Sequence, residues 1–98
     1  MIKVNVGKSL IEVVGHSGYD EFGKDIVCSA VSSIVTTTIN GIISINQDAI
    51  SYEYKSDKMR IEIKKSDEIT IKLINNMIDL LKSLEKDYPK NIKVKESA

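Results

Sequence analysis

The sequence lacks most features of secreted, membrane-bound or nucleic-acid-binding chains. Its single cysteine among 98 residues excludes an internal disulfide and favours a reducing compartment. Lys and Arg balance Asp and Glu at 14 each, so the basic excess with which nucleic-acid binders neutralise phosphates is missing. No apolar run approaches the roughly 20 residues that span a bilayer, and the N-terminus has no signal-peptide pattern. We therefore expect a cytoplasmic protein with no membrane partner and no direct nucleic-acid partner.

The length and composition predict one small globular domain over residues 1–98. Apolar residues make up 42% of the chain and charged residues 29%, as in ordinary soluble domains. A chain this short buries only about 60 to 65% of the surface that its unfolded form exposes. The core is therefore modest, and we expect an oligomer to stabilise it.

A hairpin and a glycine-rich loop are predicted at the N-terminus. Ile2, Val4 and Val6 alternate with polar residues, which is the two-residue period of a half-buried strand. Residues 10–14 are expected to form its hairpin partner. Residues 15–25 follow with three glycines, and long loops in compact domains are often functional.

The rest of the chain alternates between helical and strand patterns. Apolar spacing predicts a helix over 26–43 with Asp25 as its N-cap, then a hairpin over 50–63 with a polar turn. A second helix begins at Ser66 as N-cap and stops before Pro89, and a short last strand follows at Ile92 and Val94. The order ββαββαβ predicts an α+β fold, a mainly antiparallel sheet with two helices packed on one face.

The chain has one histidine and one cysteine, and both fall at informative places. Cys28 lies in the first turn of the first helix, where free N–H groups and the helix dipole favour a thiolate. His16 follows a strand, and the loop could bring its imidazole near the sulfur to hold the thiolate and protonate a leaving amine. Backbone N–H groups around Cys28 are candidates for an oxyanion hole. The pattern makes Cys28 a candidate nucleophile and His16 a candidate general base.

Plainer interpretations of these residues stay open. Cys28 could be a small apolar residue at the edge of the core, and His16 an ordinary loop residue. Asp25 could cap the helix, orient His16, or do both. Ser32 lies four residues after Cys28 on the same helix face, so it could bond near the sulfur or only to backbone and water. No spacing of ligands predicts a metal site, and no cofactor is expected.

Residues 15–19 (GHSGY) and 23–32 (GKDIVCSAVS) closely resemble the ribosomal-processing cysteine protease family, often called Prp. The order of strands and helices and the chain length match this family as well. Ser17 and Ser29 stand where alanine is common in the family, and neither change removes a catalytic group. The resemblance covers essentially the whole chain, and its short spaced motif is the specific part.

The resemblance implies a particular activity. Such proteases remove a short N-terminal extension from bacterial large-subunit ribosomal protein twenty-seven, cutting after an apolar segment that ends in aromatic residues. Family members are homodimers that support ribosome assembly. Carried over to this chain, Cys28 is the nucleophile and His16 the base, while Asp25 and Ser32 match positions associated with activity.

The loop after His16 is a candidate substrate-binding segment. Gly15, Gly18 and Gly23 would let it take unusual dihedral angles and move over a peptide. Tyr19 and Phe22 are then candidates to cover the apolar side chains of the substrate, although both rings could instead pin the loop to the body. We expect the loop to close when a peptide binds.

Two other classes of function compete with the protease. One is a non-catalytic module that associates with the ribosome or binds a protein, since many small binding domains share this element order. The other is a redox-sensing thiol at Cys28. Neither explains why the only histidine lies in a glycine-bracketed loop just before the only cysteine, and the protease does.

Overall fold

The protein follows the predicted ββαββαβ order. A computed structural model describes residues 1–16, 18, 20 and 25–97. Its elements are β1 (Ile2–Val6), β2 (Leu10–Val14), α1 (Ile26–Ile45), β3 (Ile50–Lys55), β4 (Lys58–Ile63), α2 (Glu68–Asp87) and β5 (Ile92–Glu96). The predicted α+β class is therefore confirmed.

The five strands form one mixed sheet in the order β3-β4-β2-β1-β5. Three neighbouring pairs are antiparallel, and β5 pairs with β1 in parallel. The two predicted hairpins are present, β1 with β2 and β3 with β4. In the pairing of β2 with β4, Val14 lies opposite Lys58. The chain that leaves β2 therefore starts beside the turn between β3 and β4, and this neighbourhood positions the site.

Both helices cover the same apolar face of the sheet. Alternate strand residues point to that face and are almost fully buried, namely Ile2, Val4, Ile11, Ile50, Ile61 and Ile92. They pack with one face of each helix, Val27, Val31, Val35, Ile39 and Ile42 from α1 and Ile74, Met77, Ile78 and Leu81 from α2. Burying each such side chain stabilises the fold by about 1.5 to 3 kcal/mol. This shared core holds α1, and with it Cys28, against the sheet.

The solvent face of the sheet carries a charged cluster that ties β2 to β4. Glu12 Oε2 lies 2.9 Å from the Nζ atom of Lys58 and 3.5 Å from the Nε atom of Arg60. The hydrogen bond from Lys58 is the main cause that holds the pKa of the Glu12 carboxyl below its ordinary value. The cluster supports the register that brings the end of β2 to the β3–β4 turn.

Helix α2 begins one residue later than the sequence predicted. Its N-cap is Asp67, whose Oδ1 atom accepts the Thr70 N–H at 2.9 Å while Oδ2 accepts the Thr70 hydroxyl at 3.0 Å. These hydrogen bonds hold the pKa of the Asp67 carboxyl below its ordinary value. The prediction of Ser66 as N-cap is wrong, because the carboxylate of Asp67 reaches two donors of the same first-turn residue.

Helix α1 corrects the expectation about apolar runs. It has 20 residues, carries no charged side chain, and is long and apolar enough to cross a membrane by length and composition alone. The expectation that no apolar segment approaches the length of a membrane span is therefore wrong. The finding is weak evidence for a membrane span, because core helices pass the same test, and the buried face of α1 packs in the core described above.

Candidate active site

The helices leave one corner of the sheet uncovered, at the end of β3. Tyr52 and Tyr54 lie on the helix-side face, opposite Ile61 and Met59 in the register of β3 with β4. Ile50 at the start of β3 is buried, whereas Tyr52 is 55% and Tyr54 is 68% exposed. The open corner widens into a cleft between α1, the end of β2 and the β3–β4 hairpin.

This cleft has a volume of about 790 Å³ and holds the residues that the sequence singled out. Its apolar wall includes Val13, Val31, Val35, Tyr54 and Met59. The polar groups that line it include His16, Asp25, Cys28, Ser29, Ser32 and Asp57. The only histidine and the only cysteine of the chain therefore line one cavity, although twelve positions separate them in sequence.

Cys28 is half-buried in the first turn of α1, and Asp25 fixes that turn. The Oδ1 atom of Asp25 accepts the backbone N–H groups of Val27 at 3.0 Å and Cys28 at 2.9 Å. Asp25 is itself only 7% exposed. Of the two roles left open for Asp25, the structure therefore shows the helix cap. The thiol lies at the positive end of the helix dipole, which favours negative charge on sulfur.

The same cap bears on the expected oxyanion hole. Besides the two bonds to its carboxylate, Asp25 accepts the Ser29 N–H at its carbonyl oxygen at 3.1 Å. The N–H groups of residues 27, 28 and 29 all point to Asp25. A substrate oxyanion therefore has to share one of these donors or use donors from another segment.

His16 follows β2 and is held near the β3–β4 turn. The N–H of Gly15 donates to the carbonyl oxygen of Asp57 at 3.0 Å. The Nε2 atom of His16 lies 3.8 Å from Oδ2 of Asp57, with both side chains well exposed. The sequence placed Asp57 only in a hairpin turn. Local patterns missed it because its proximity to His16 depends on the pairing of β2 with β4, which no local pattern encodes.

Gly15 makes the bend that separates His16 from the strand. Its φ is +94°, and a Cβ added there would lie 2.7 Å from the carbonyl oxygen of Met1. A side chain would therefore meet both backbone strain and a backbone clash. The prediction of unusual dihedral angles in this loop is confirmed at Gly15 and at Gly18, whose φ is +69°.

The remaining predicted site residues divide into two groups. Ser32 lies one helical turn after Cys28 and lines the cleft, as does Gly18. Tyr19, Phe22 and Gly23 lie outside the described residues, so their contact with substrate stays a prediction. Within residues 1–16, 18, 20 and 25–97, no group of three or more His, Cys, Asp or Glu side chains could hold a metal ion.

A thiol at a helix N-terminus and an imidazole in the same apolar cleft are the two groups on which cysteine-type hydrolases depend. A family model described as cysteine protease Prp matches residues 1–93. The chain belongs to this family, and it is a cysteine-type peptidase.

Similarity to individual proteins extends over nearly the whole chain. It is 29% identical to the ribosomal processing cysteine protease Prp of Mycoplasma genitalium, covering 100% of this chain and 98% of the relative. It is 26% identical to the protein of the same name from Staphylococcus aureus, covering 95% of this chain and 92% of the relative.

The fold is also that of solved structures. Prp from S. aureus in complex with a covalently linked product peptide matches with a TM-score of 0.93 and 22% identity, over 99% of this chain and 100% of that one. The same protein in complex with a substrate peptide matches with a TM-score of 0.87 and 21% identity, over the same shares of the two chains.

Proposed function

We propose that this protein is an endopeptidase that removes the N-terminal extension of bacterial large-subunit ribosomal protein twenty-seven, with Cys28 as nucleophile and His16 as general base. The observation that carries the proposal is the meeting of the only cysteine and the only histidine in one cleft. Membership of the Prp family and relatives named for ribosomal processing support the substrate class.

The chemistry follows from the two side chains. The Cys28 thiolate attacks the scissile carbonyl carbon, and a carbon–sulfur bond forms as the carbonyl oxygen takes up negative charge. The His16 imidazolium then gives its proton to the leaving amine, the carbon–nitrogen bond breaks, and a thioester remains on Cys28. Neutral His16 next takes a proton from water, whose oxygen attacks the thioester; the carbon–sulfur bond breaks, the acid leaves, and the Cys28 thiolate and His16 imidazolium are restored.

The lining of the cleft supports an apolar substrate segment. Val13, Val35, Tyr54 and Met59 form a wall beside the thiol. Apolar and aromatic side chains of a peptide would replace water on this wall, at a gain of about 25 cal/mol for each Å² of apolar surface buried. This matches the cleavage after aromatic residues that the family resemblance implies.

Dimer formation and a cytoplasmic location complete the proposal. The dimer rests on the family resemblance, and the small core adds a physical reason for it. The cytoplasmic location rests on the single cysteine, which fits a reducing compartment. Ile45 at the end of α1 is 59% exposed and is a candidate contact residue. Light scattering on the parent protein and on an Ile45→Asp variant tests dimer formation. The parent should have twice the monomer mass.

The proposal is tested with a peptide that carries the extension and the first residues of the mature ribosomal protein. Mass spectrometry should find one cut at the end of the extension with the parent, and none with Cys28→Ala or His16→Ala. Ser33→Ala, an exposed change on α1, is the matched control and should cut normally. No cut by the folded parent at high concentration would favour the non-catalytic binding module instead.

A further inference from the structure

We infer that Asp57 is a positioning residue for His16, acting on the imidazole from the turn between β3 and β4. The inference rests on the proposed function, because it assigns Asp57 a part in the action of the His16 base. It gives this turn, which the sequence marks only as a hairpin connection, a role in catalysis.

Two separate contacts join this turn to the segment that carries His16. The backbone contact is the hydrogen bond from the Gly15 N–H to the Asp57 carbonyl oxygen, 3.0 Å long. The side-chain contact is the approach of Asp57 Oδ2 to His16 Nε2 at 3.8 Å. A single residue therefore fixes the backbone before His16 and also presents a carboxylate to its ring.

The turn itself is built to hold Asp57 in place. It has two residues between the paired ends Lys55 and Lys58, and Ser56 has a positive φ of 56°. Lys58 is in turn held to β2 through Glu12 and through its register position opposite Val14. Asp57 is thus tied to the end of β2 by strand pairing and by the hydrogen bond from Gly15, which suits a residue that sets the orientation of another.

Two of the aspartates that line the cleft, Asp25 and Asp57, then support one catalytic group each. Asp25 holds the first turn of α1 and the backbone of Cys28, whereas Asp57 faces the imidazole. Pairing Asp57 with Nε2 leaves Nδ1 of His16 for the thiol, the arrangement in which a carboxylate sets the tautomer of a catalytic histidine.

The distance of 3.8 Å exceeds that of a hydrogen bond, and the two side chains are 68% and 49% exposed. Catalytic hydrogen bonds are often long without substrate and tighten when it binds. A peptide in the cleft would displace water from around the pair, and the attraction between imidazolium and carboxylate would then increase. The effect of Asp57 should therefore be small in the free enzyme and larger during turnover.

Other charged and titratable groups surround His16. Among the described residues, those that line the cleft with it are Asp20 from the loop, Asp25 and Cys28 at the start of α1, and Tyr54 and Asp57 from the β3–β4 hairpin. Lys55 and Lys58 flank the turn. Of this set, Asp57 is tied to the segment of His16 by both its backbone and its side chain.

The test compares peptide cleavage by two neutral variants and one conservative variant. Asp57→Asn and Asp57→Ser should lose about three- to tenfold in kcat with a smaller change in KM. Asp57→Glu should recover most of this loss. Asp79→Asn removes the same charge from an exposed site on α2 and should leave kcat unchanged.

The single histidine gives a second readout that does not depend on cleavage. Its imidazole C–H signals in a proton NMR spectrum need no assignment. At one fixed pH these signals should move in Asp57→Asn, because a group next to the ring has changed, and should stay in place in Asp79→Asn.

The outcomes separate this inference from the proposed function. An unchanged kcat in both neutral variants would overturn the role of Asp57, and so would a loss of kcat that merely follows a loss of folded protein. If the parent cut no peptide but the imidazole signals moved as stated, the proposed function would be wrong and the pairing of Asp57 with His16 would stand.

Discussion

Asp25 Oδ1 accepts the backbone N–H of Cys28 at 2.9 Å, so the residue that starts α1 also fixes the backbone of the proposed nucleophile. The same oxygen accepts the Val27 N–H. The cap of α1 and the position of the proposed nucleophile therefore depend on the same carboxylate. Stability and activity should respond together to some changes at Asp25 and separately to others.

Replacing Asp25 by two different residues separates these effects. Asp25→Ala should lower the free energy of unfolding by about 0.5 to 2 kcal/mol, because the first turn loses its cap, and Asp25→Asn should lose much less since asparagine caps well. Urea unfolding measures both. Both variants should cleave more slowly, because each removes a carboxylate from the cleft that His16 and Cys28 line. An Asp25→Asn variant as unstable as Asp25→Ala would contradict the capping role.

Gly15→Ala tests whether the bend after β2 is required. The added Cβ would lie 2.7 Å from the Met1 carbonyl oxygen at a φ of +94°, and the strain should cost about 1 to 3 kcal/mol of stability. Peptide cleavage should fall as well, because His16 is the next residue.

Gly41→Ala is the matched control for that change. Gly41 lies inside α1 with nothing within 4 Å of an added Cβ, so alanine should stabilise the helix by up to about 1 kcal/mol. Thermal unfolding should move in opposite directions for the two variants. A neutral effect of Gly15→Ala on both stability and cleavage would show that the bend is not needed.

Tyr54→Ala tests the apolar wall of the cleft. Tyr54 lines the cavity that holds His16 and Cys28, and an aromatic ring offers a large contact area to a substrate. KM should rise by about tenfold with a smaller fall in kcat. Tyr52→Ala removes a ring that is also exposed but that lines a smaller neighbouring groove and not the cleft itself, so it should change KM less. Equal effects of the two variants would place substrate along the whole edge of β3.

The cap of α2 predicts a pH dependence of stability. The pKa of Asp67 is lowered in the folded protein by hydrogen bonds from Thr70. The stabilisation by its ionised form is therefore present above about pH 4 and is lost as the pH falls through the folded-state pKa. Urea midpoints should show the parent more stable than Asp67→Asn at neutral pH, with the difference vanishing in acid.

Ser66→Ala is the control for the α2 cap, because Ser66 is the residue that sequence patterns favoured. It should leave the urea midpoint almost unchanged. A larger loss with Ser66→Ala than with Asp67→Ala would contradict the observed cap.

Local sequence patterns predicted the strands and helices, and they predicted that Asp25 and Cys28 lie together at the start of α1. The alternation at Ile2, Val4 and Val6 and the three- and four-residue spacing of α1 report burial directly, so strands and helices were found where the structure has them. Asp25 and Cys28 are neighbours within one helical turn, and their relationship was therefore visible in sequence.

What the sequence could not predict depends on long-range pairing. The parallel contact of β5 with β1 and the neighbourhood of His16 and Asp57 both follow from the order of strands in the sheet. Tyr54 is exposed because the helices leave the end of β3 uncovered. The alternation of apolar residues does not encode which part of a strand a helix covers. In α1 itself, serine and threonine interrupt the apolar residues, so the local pattern does not predict an apolar segment as long as a membrane span.

The most direct test of the central claim is to catch the acyl-enzyme on Cys28. The precursor peptide is mixed with the parent protein, quenched in acid and measured by intact mass spectrometry. We expect a species heavier than the protein by the N-terminal fragment less one water, with peptide mapping placing it on Cys28, and no such species with Cys28→Ala. Cleavage that proceeds normally in Cys28→Ala, or a fragment attached to another residue, would contradict it.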